Sequence, residues 1–302
     1  MVTTAEAVAS YTAGLRCHTL DEDVADDRRP AGGYDGPMST QASNPHGIAE
    51  ARGLLAAARK VVVLTGSGIS AESGIPTFRG AGGLWKGMRV EDFATPEGFA
   101  HRPLEVWNWY TQRRAELDDA RPNAGHVALV ELQRRIEARG GSFVLATQNI
   151  DGLHQAAGSA GVLELHGSLR TARCEACPHT APMPSTPANA VPPCPACGSR
   201  LRPAVVWFGE ALPAETIAAA IDAAAACDLF LSVGTSAIIY PAAGLIEWAL
   251  SAGAKTIEVN LEPTPITRLV TVALHGRAGD LLPRLVAQED ASEGDTHGVP
   301  TS

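Results

Sequence analysis

The stretch "VVVLTGSGISAESGIPTFRG", Val61–Gly80, decides the fold. Its apolar strand runs into residues 66–71, GSGISA, which match the G-x-G-x-x-A turn of dinucleotide-binding folds. Small residues there let backbone N–H groups approach a pyrophosphate, although the same letters also form ordinary glycine turns. A dehydrogenase carries an acidic residue at the end of a second strand; here Glu91 and Asp92 lie at that distance but follow no predicted strand. The stretch therefore favours a dinucleotide site that differs from a standard hydride-transfer site.

Around this stretch, short apolar strands alternate with helical segments. The predicted strands are 60–65, 142–147, 162–166, 228–233 and 255–260. The predicted helices are 47–59, 103–139 with a break near Arg121-Pro122, 213–226, 241–252 and 279–287. Nearly uniform apolar strands between helices are typical of a parallel sheet covered on both faces. We predict an α/β fold, a Rossmann-like doubly wound parallel sheet with a smaller zinc-binding insertion and a helical segment.

The charge of the chain lies mostly at its ends. The 302 residues carry a net charge of −9, to which residues 1–45 contribute −4 and residues 288–302 another −4. Both ends hold little to bury, and we predict that they are disordered. The nearly neutral body has no basic patch of the kind that nucleic acid requires, which argues against a nucleic-acid partner. Without a long apolar run or a signal pattern, we expect a cytoplasmic protein with no membrane segment.

Four of the six cysteines form one cluster: Cys174, Cys177, Cys194 and Cys197. Their C-x2-C-x16-C-x2-C pattern fits the spacing of a zinc site. Four thiolates fill a tetrahedral shell and leave no open position, so the zinc is expected to be structural. Residues 170–202 are short of large apolar side chains, and metal binding would supply the folding free energy that this insertion lacks.

Polar side chains follow two of the predicted strands. Gln148, Asn149 and Asp151 lie in "ATQNIDGLH" after the second strand, and His166 ends the third. Open α/β sheets bind their ligands at the carboxyl ends of strands. An imidazole with a pKa near 6.5 suits a general base at neutral pH. The alternatives are a polar loop that caps the next helix and a purely structural histidine.

The helical stretch "VWNWYTQRR", Val106–Arg114, places Tyr110 and Arg113 three residues apart. Positions i and i+3 share a helix face, so the phenol and the guanidinium could reach the same point. The alternative is the solvated polar edge of a surface helix.

Taken together, the motifs resemble the sirtuin family, the NAD-dependent protein-lysine deacylases. In family order the matches are "GSGISAESGIPTFRG", "TQNIDGLH", "LELHG", the two CxxC pairs, "VVWFGE", "GTS" and "NLE", over roughly residues 47–287. Ser67 departs from the family, which usually has alanine there. We expect this change to leave NAD binding intact, although it could alter a local contact.

The resemblance implies a role for each matching residue. NAD would lie against Gly66, Ser67, Gly68, Ala71, Phe78, Arg79, Trp85, Gln148, Asn149, Ile150, Asp151, Gly234, Thr235, Ser236, Asn260, Leu261, Glu262 and Ala278. The substrate backbone and the acyl-lysine channel would be bordered by Val206, Phe208 and Gly209. The catalytic residues would be His166, as general base, and Asn149.

The resemblance also implies the reaction. NAD is consumed as a co-substrate: the acyl oxygen displaces nicotinamide, and neutral His166 helps a ribose hydroxyl to attack, so that free lysine and O-acyl-ADP-ribose leave. "FRGAGGLW" and "EDFATPEGFAH" resemble one sirtuin class in which a Tyr-x-x-Arg pair binds a carboxylate in the acyl pocket. Tyr110 and Arg113 match that pair. The expected partners are proteins or peptides with succinyl-, malonyl- and, to a smaller extent, acetyl-lysine.

Two other functions are consistent with parts of the sequence. A non-enzymatic zinc-ribbon binding module would need basic residues around the ribbon, where only a few arginines occur. A mono-ADP-ribosyltransferase would keep the same fold. The predicted division of the chain is a disordered extension at 1–45, an NAD-binding domain at 46–169 and 203–287 with a helical small-domain segment at about 82–125, a zinc module at 170–202, and a disordered tail at 288–302. The oligomeric state stays open.

Overall fold

The computed structural model describes residues 16–19, 45–77, 84–85 and 88–287. Its centre is a six-stranded sheet in the order β13-β12-β10-β2-β5-β6. These strands are β2 (Lys60–Thr65), β5 (Ser142–Thr147), β6 (Leu163–Glu164), β10 (Leu229–Val233), β12 (Lys255–Asn260) and β13 (Val272–His275). All neighbouring pairs are parallel, which confirms the predicted α/β fold.

Helices cover both faces of this sheet. On one face lie α1 (Pro45–Ala57), α5 (Ala124–Ala138) and α9 (Ala278–Val286), and on the other α7 (Ala214–Ala225) and α8 (Leu245–Ser251). Side chains alternate along a strand, so Val61 and Val63 of β2 enter the first core while Val62 and Leu64 enter the second. This burial on both faces is the reason that the strands are almost wholly apolar. Among the described residues, none of the helices has the length and hydrophobicity needed to cross a bilayer.

A smaller unit packs beside the main sheet. It contains an antiparallel sheet of β7 (Gly167–Cys174), β8 (Thr180–Pro182) and β9 (Leu201–Val205), together with α2 (Val90–Phe93), α3 (Pro96–His101), α4 (Pro103–Asp119) and the pair β3 (Leu84–Trp85) and β4 (Met88–Arg89). A third core joins α3, α4 and the antiparallel sheet, with Phe99, Trp107 and Trp207 fully buried. The zinc-module segment therefore has more regular structure than predicted, and its strands extend beyond 170–202 on both sides.

Two predicted elements differ in detail. The third strand, predicted at 162–166, is only the two residues of β6, so His166 lies in the turn before β7. β7 then begins at Gly167, whose φ of 74° is a conformation that an L side chain rarely adopts. The helix predicted at 241–252 begins with a 3₁₀ turn, Ala242–Gly244, before α8.

The N-terminal extension contains an ordered segment that the sequence did not predict. Arg16–Thr19 pack onto the folded body, and β1 (His18–Thr19) pairs antiparallel with β11 (Ile239–Tyr240). Cys17, expected in a disordered tail, is only 5% exposed. The rest of the predicted extension up to residue 44, and the predicted tail 288–302, lie outside the described residues.

Candidate active site

A cleft of about 730 Å³ opens at the carboxyl edge of the parallel sheet, facing the smaller unit. It brings together most of the residues that the sequence singled out: Gly66, Ser67, Gly68, Ala71, Tyr110, Arg113, Gln148, Asn149, Ile150, Asp151, His166, Val206, Phe208, Gly234, Thr235, Ser236, Asn260, Leu261, Glu262 and Ala278. Gly209 lines a neighbouring cleft of about 610 Å³ that shares Val205 and Val206 with the first. Phe78 and Arg79 lie outside the described residues, and only the backbone of Trp85 is described.

The first loop follows β2 as a 3₁₀ helix, Ser67–Ser73. Its backbone lies against that of a second loop, which follows β10 and contains Gly234. A Cβ on Gly66 would lie 2.8 Å from the carbonyl oxygen of Gly234, and one on Gly68 would lie 2.7 Å from the Gly234 Cα. Any side chain at these positions would push the two loops apart. The result is a cradle with bare backbone at the ends of β2 and β10, which fits the close approach of a dinucleotide phosphate.

A buried network holds the polar residues that follow β5. Ser70 donates a hydrogen bond to the Asp151 carboxylate at 2.7 Å. The Asn149 side-chain amide donates to the Gly66 carbonyl at 3.1 Å and to the Ser70 hydroxyl at 3.3 Å. Gln148 donates to the Thr235 hydroxyl at 2.8 Å and so links the ends of β5 and β10. These bonds fix the side chains before any ligand arrives.

Asp151 also agrees in part with the alternative that this loop caps the next helix. Its carboxylate accepts a hydrogen bond from the Leu153 N–H at 2.9 Å, at the start of the short helix α6 (Leu153–Ala157).

Sequence reasoning missed two residues that support the site, Ser70 and Asn123. The Asn123 amide donates to the Ile69 carbonyl at 2.7 Å while its oxygen accepts from the Gly125 N–H. Its position just after Pro122 and before a helix is an N-cap signal that could have identified it.

His166 faces the cleft in a defined tautomer. Its Nδ1 lies 3.0 Å from the Gln148 carbonyl oxygen, which can only accept, so Nδ1 carries the hydrogen. Nε2 is buried and has no hydrogen-bond partner among the described residues. Burial lowers the pKa of His166 to about 4, although the Gln148 bond opposes this shift. The ring is therefore a neutral imidazole at neutral pH, and its Nε2 is a free basic nitrogen among the described residues.

Tyr110 and Arg113 both line the cleft from α4. Tyr110 is 2% exposed and accepts a hydrogen bond from the Trp207 indole N–H at 2.9 Å. Nη2 of Arg113 lies 3.1 Å from the Glu116 carboxylate, and its guanidinium lies 5.3 Å from the centre of the Trp109 ring. The Nε and Nη1 atoms of Arg113 are buried without a partner among the described residues. A solvated helix edge does not fit this burial.

The four cysteines of the cluster fit a zinc ion. Their sulfur atoms all lie within 4.8 Å of one another, with 3.5 Å between Cys174 and Cys197 and 3.7 Å between Cys177 and Cys194. A tetrahedral shell with Zn–S bonds of about 2.3 Å requires sulfur separations of about 3.8 Å. Backbone N–H groups two residues on donate to the sulfurs of Cys174 and Cys194. The four residues could hold a structural zinc, and none of them lines the cleft.

Comparison with known proteins agrees with this geometry. The Sir2 family model matches residues 66–241. An NAD-dependent protein deacylase of Thermus thermophilus is 53% identical over 250 residues, which cover 82% of this chain and 98% of the relative. The crystal structure of a Sir2 homologue with NAD has a TM-score of 0.74 at 40% identity and covers 82% of this chain and 95% of that one. A Sir2 complex with a deacetylated p53 peptide and 3′-O-acetyl ADP-ribose has a TM-score of 0.68 at 33% identity, with 79% and 96% covered. The chain belongs to the Sir2 family.

Proposed function

We propose that this protein removes acyl groups from lysine side chains of proteins, consumes NAD in doing so, and prefers succinyl and malonyl groups over acetyl. Its family and its relatives, which are named NAD-dependent protein deacylases, support NAD-dependent lysine deacylation by a sirtuin-type enzyme. The acyl preference depends on one observation: Nε and Nη1 of Arg113, which lines the cleft, are buried and have no hydrogen-bond partner among the described residues.

The cradle between the first loop and the Gly234 loop would hold the pyrophosphate of NAD, since its bare backbone admits a close approach. The residues after β5 would hold the nicotinamide ribose, and Ser236, Asn260 and Ala278 would contact the adenosine half. When bound, NAD supplies an electrophilic ribose carbon from which nicotinamide departs. The complexes of Sir2 homologues with NAD and ADP-ribose support this placement by analogy.

His166 would act as the general base. Its Nδ1–H is held by the Gln148 carbonyl, so the proton taken up during the reaction goes to Nε2. The fixed hydrogen bond stabilises the imidazolium that forms and keeps the ring in one orientation. Asn149, anchored by Gly66 and Ser70, would orient the reacting groups next to it.

The substrate peptide would pair with the segment after β9. Val206 and Phe208 line the cleft. The N–H of Gly209 is oriented to donate to an extended strand, because it donates to the Cys17 carbonyl of such a strand at 3.0 Å. Main-chain pairing of this kind binds a peptide with little regard to its sequence. The acyl-lysine side chain would then enter the channel toward His166.

A succinyl or malonyl group ends in a carboxylate, which is costly to bury without a partner. Arg113 carries a permanent charge, and its Nε and Nη1 have no partner among the described residues. Tyr110 can add its hydroxyl hydrogen because its oxygen already accepts from Trp207. Glu116 balances the charge of Arg113 in the absence of substrate. It would also compete with an incoming carboxylate, so it limits the preference that Arg113 creates.

The experiment that tests the proposed function is to incubate the protein with NAD and matched acetyl-, malonyl- and succinyl-lysine peptides and to follow all products by mass. Deacylation requires equal amounts of nicotinamide, free lysine peptide and O-acyl-ADP-ribose. Nicotinamide release without free lysine, together with a protein adduct, would instead indicate ADP-ribosyl transfer. No release of nicotinamide with any peptide would contradict an enzymatic role.

A further inference from the structure

The ordered N-terminal segment, Arg16–Thr19, lies as an extended strand between the segment after β9 and β11. On one side, the Cys17 N–H donates to the Glu210 carbonyl at 2.9 Å and the Gly209 N–H donates to the Cys17 carbonyl at 3.0 Å. On the other side, β1 pairs antiparallel with β11. The segment is thus paired along both of its edges, which is how an extended peptide is held when it binds by β-augmentation.

Cys17 lines the cleft with its side chain. It is buried, lines the same cleft as His166, Tyr110 and Arg113, and belongs to the core that also packs Val206. Burial raises the pKa of its thiol to about 12, so the group present is a small neutral one. Cys17 offers no acyl oxygen and no lysine nitrogen to the reacting centre.

The residues on either side of Cys17 make specific contacts that fix its register. The Arg16 guanidinium donates to the Gly209 carbonyl at 2.7 Å. The His18 ring stacks on the Tyr240 ring at a centroid distance of 5.9 Å. Together with the main-chain bonds, these contacts specify which residue of the segment faces the cleft.

We propose that Arg16–Thr19 act as an intramolecular pseudosubstrate, which occupies the groove of the acylated peptide and must leave before a protein substrate can bind. The proposal rests on the proposed function in that this groove is the peptide site. The N–H of Gly209 and the carbonyl of Glu210 cannot pair with Cys17 and with a substrate strand at once. If the segment is seated nine-tenths of the time, the apparent affinity for peptide falls about tenfold.

The first test is kinetic and uses the full-length chain. Cys17→Pro removes the N–H that donates to Glu210 and should release the segment. We expect the KM for an acyl-lysine peptide to fall about tenfold, with kcat and the KM for NAD unchanged. The matched variant Cys17→Ser keeps both main-chain bonds and should stay closer to the wild type than to Cys17→Pro. An unchanged or raised peptide KM in Cys17→Pro would overturn the proposal.

The second test needs no turnover and uses the wild-type chain. Maleimide labelling of Cys17 is followed by peptide mapping while a succinyl-lysine peptide is added, and binding of the peptide is read from its fluorescence polarisation. The labelling rate of Cys17 should rise several-fold, whereas that of Cys227, which is buried just after α7, should not change. A bound peptide that leaves Cys17 protected would overturn the proposal.

These two tests distinguish a failure of the pseudosubstrate proposal from a failure of the proposed deacylase function. A peptide that binds and exposes Cys17 but is not deacylated would support the pseudosubstrate and contradict the deacylase. If neither the wild type nor Cys17→Pro binds any acyl-lysine peptide, there is no peptide site to compete for and the pseudosubstrate is overturned.

Discussion

The indole N–H of Trp207 donates to the phenol oxygen of Tyr110 at 2.9 Å, inside a core where Tyr110 is 2% exposed. A hydroxyl has one hydrogen to donate, and this contact does not use it. Burial raises the pKa of Tyr110, so the phenol keeps that hydrogen at neutral pH. Tyr110 therefore connects α4 to the segment after β9 and also presents a hydrogen-bond donor to the cleft.

Tyr110→Phe separates these two roles. Because the variant leaves the Trp207 N–H buried and unpaired, we expect the free energy of unfolding to fall by about 1–3 kcal/mol. Desuccinylation should fall by about tenfold for the lost donor, while deacetylation changes less. Urea unfolding and the two rates, measured on the same preparation, check both effects. Equal losses of the two activities would show that Tyr110 acts only through packing.

The pH profile tests His166. Its lowered pKa, about 4, means that the neutral base persists well below pH 6.5. We therefore expect kcat/KM to stay level from pH 8 to about 5.5 and to decline only as the pH approaches the pKa of His166. His166→Ala should lower deacylation by at least about 10²-fold while the fold persists. An acidic limb centred near 6.5, or near-wild-type turnover in the variant, would contradict this assignment.

Removal of one cysteine tests the structural zinc. Cys174→Ala should release the metal and lower the free energy of unfolding by at least about 3 kcal/mol, because a closed four-thiolate site contributes directly to folding. Cys227→Ala, a buried cysteine outside the cluster, should retain its zinc. The measurement is metal content by mass spectrometry alongside urea unfolding. A Cys174→Ala protein with a full complement of zinc would rule out the closed site.

Much of the site follows from the sequence because parallel strands end at one edge of a sheet. Gln148 and Asn149 follow one predicted strand and His166 ends the next, and this pattern predicts that the three residues converge on one cleft. The zinc cluster was equally accessible, since its four ligands have a fixed spacing.

The remaining features depend on contacts between distant parts of the chain. The pairing of β1 with β11 joins two short segments whose sequences carry no strand signal. The lowered pKa of His166 depends on burial that three-dimensional packing creates. The β7–β9 sheet was missed because β9 contains Pro203 and its partner strand β7 alternates buried and exposed residues only in part.

The most direct test of the account is the ratio of kcat/KM for succinyl- and acetyl-lysine versions of one peptide, measured in the wild type, Arg113→Met and Glu116→Gln. Charge-assisted bonds are worth about 1.5–3 kcal/mol, so Arg113→Met should lower the ratio by about ten- to a hundredfold and leave deacetylation largely intact. Glu116→Gln should raise the ratio, because it removes the carboxylate that occupies Nη2 of Arg113. A parallel loss of both activities in Arg113→Met, with an unchanged ratio, would contradict the assignment of the acyl-carboxylate site.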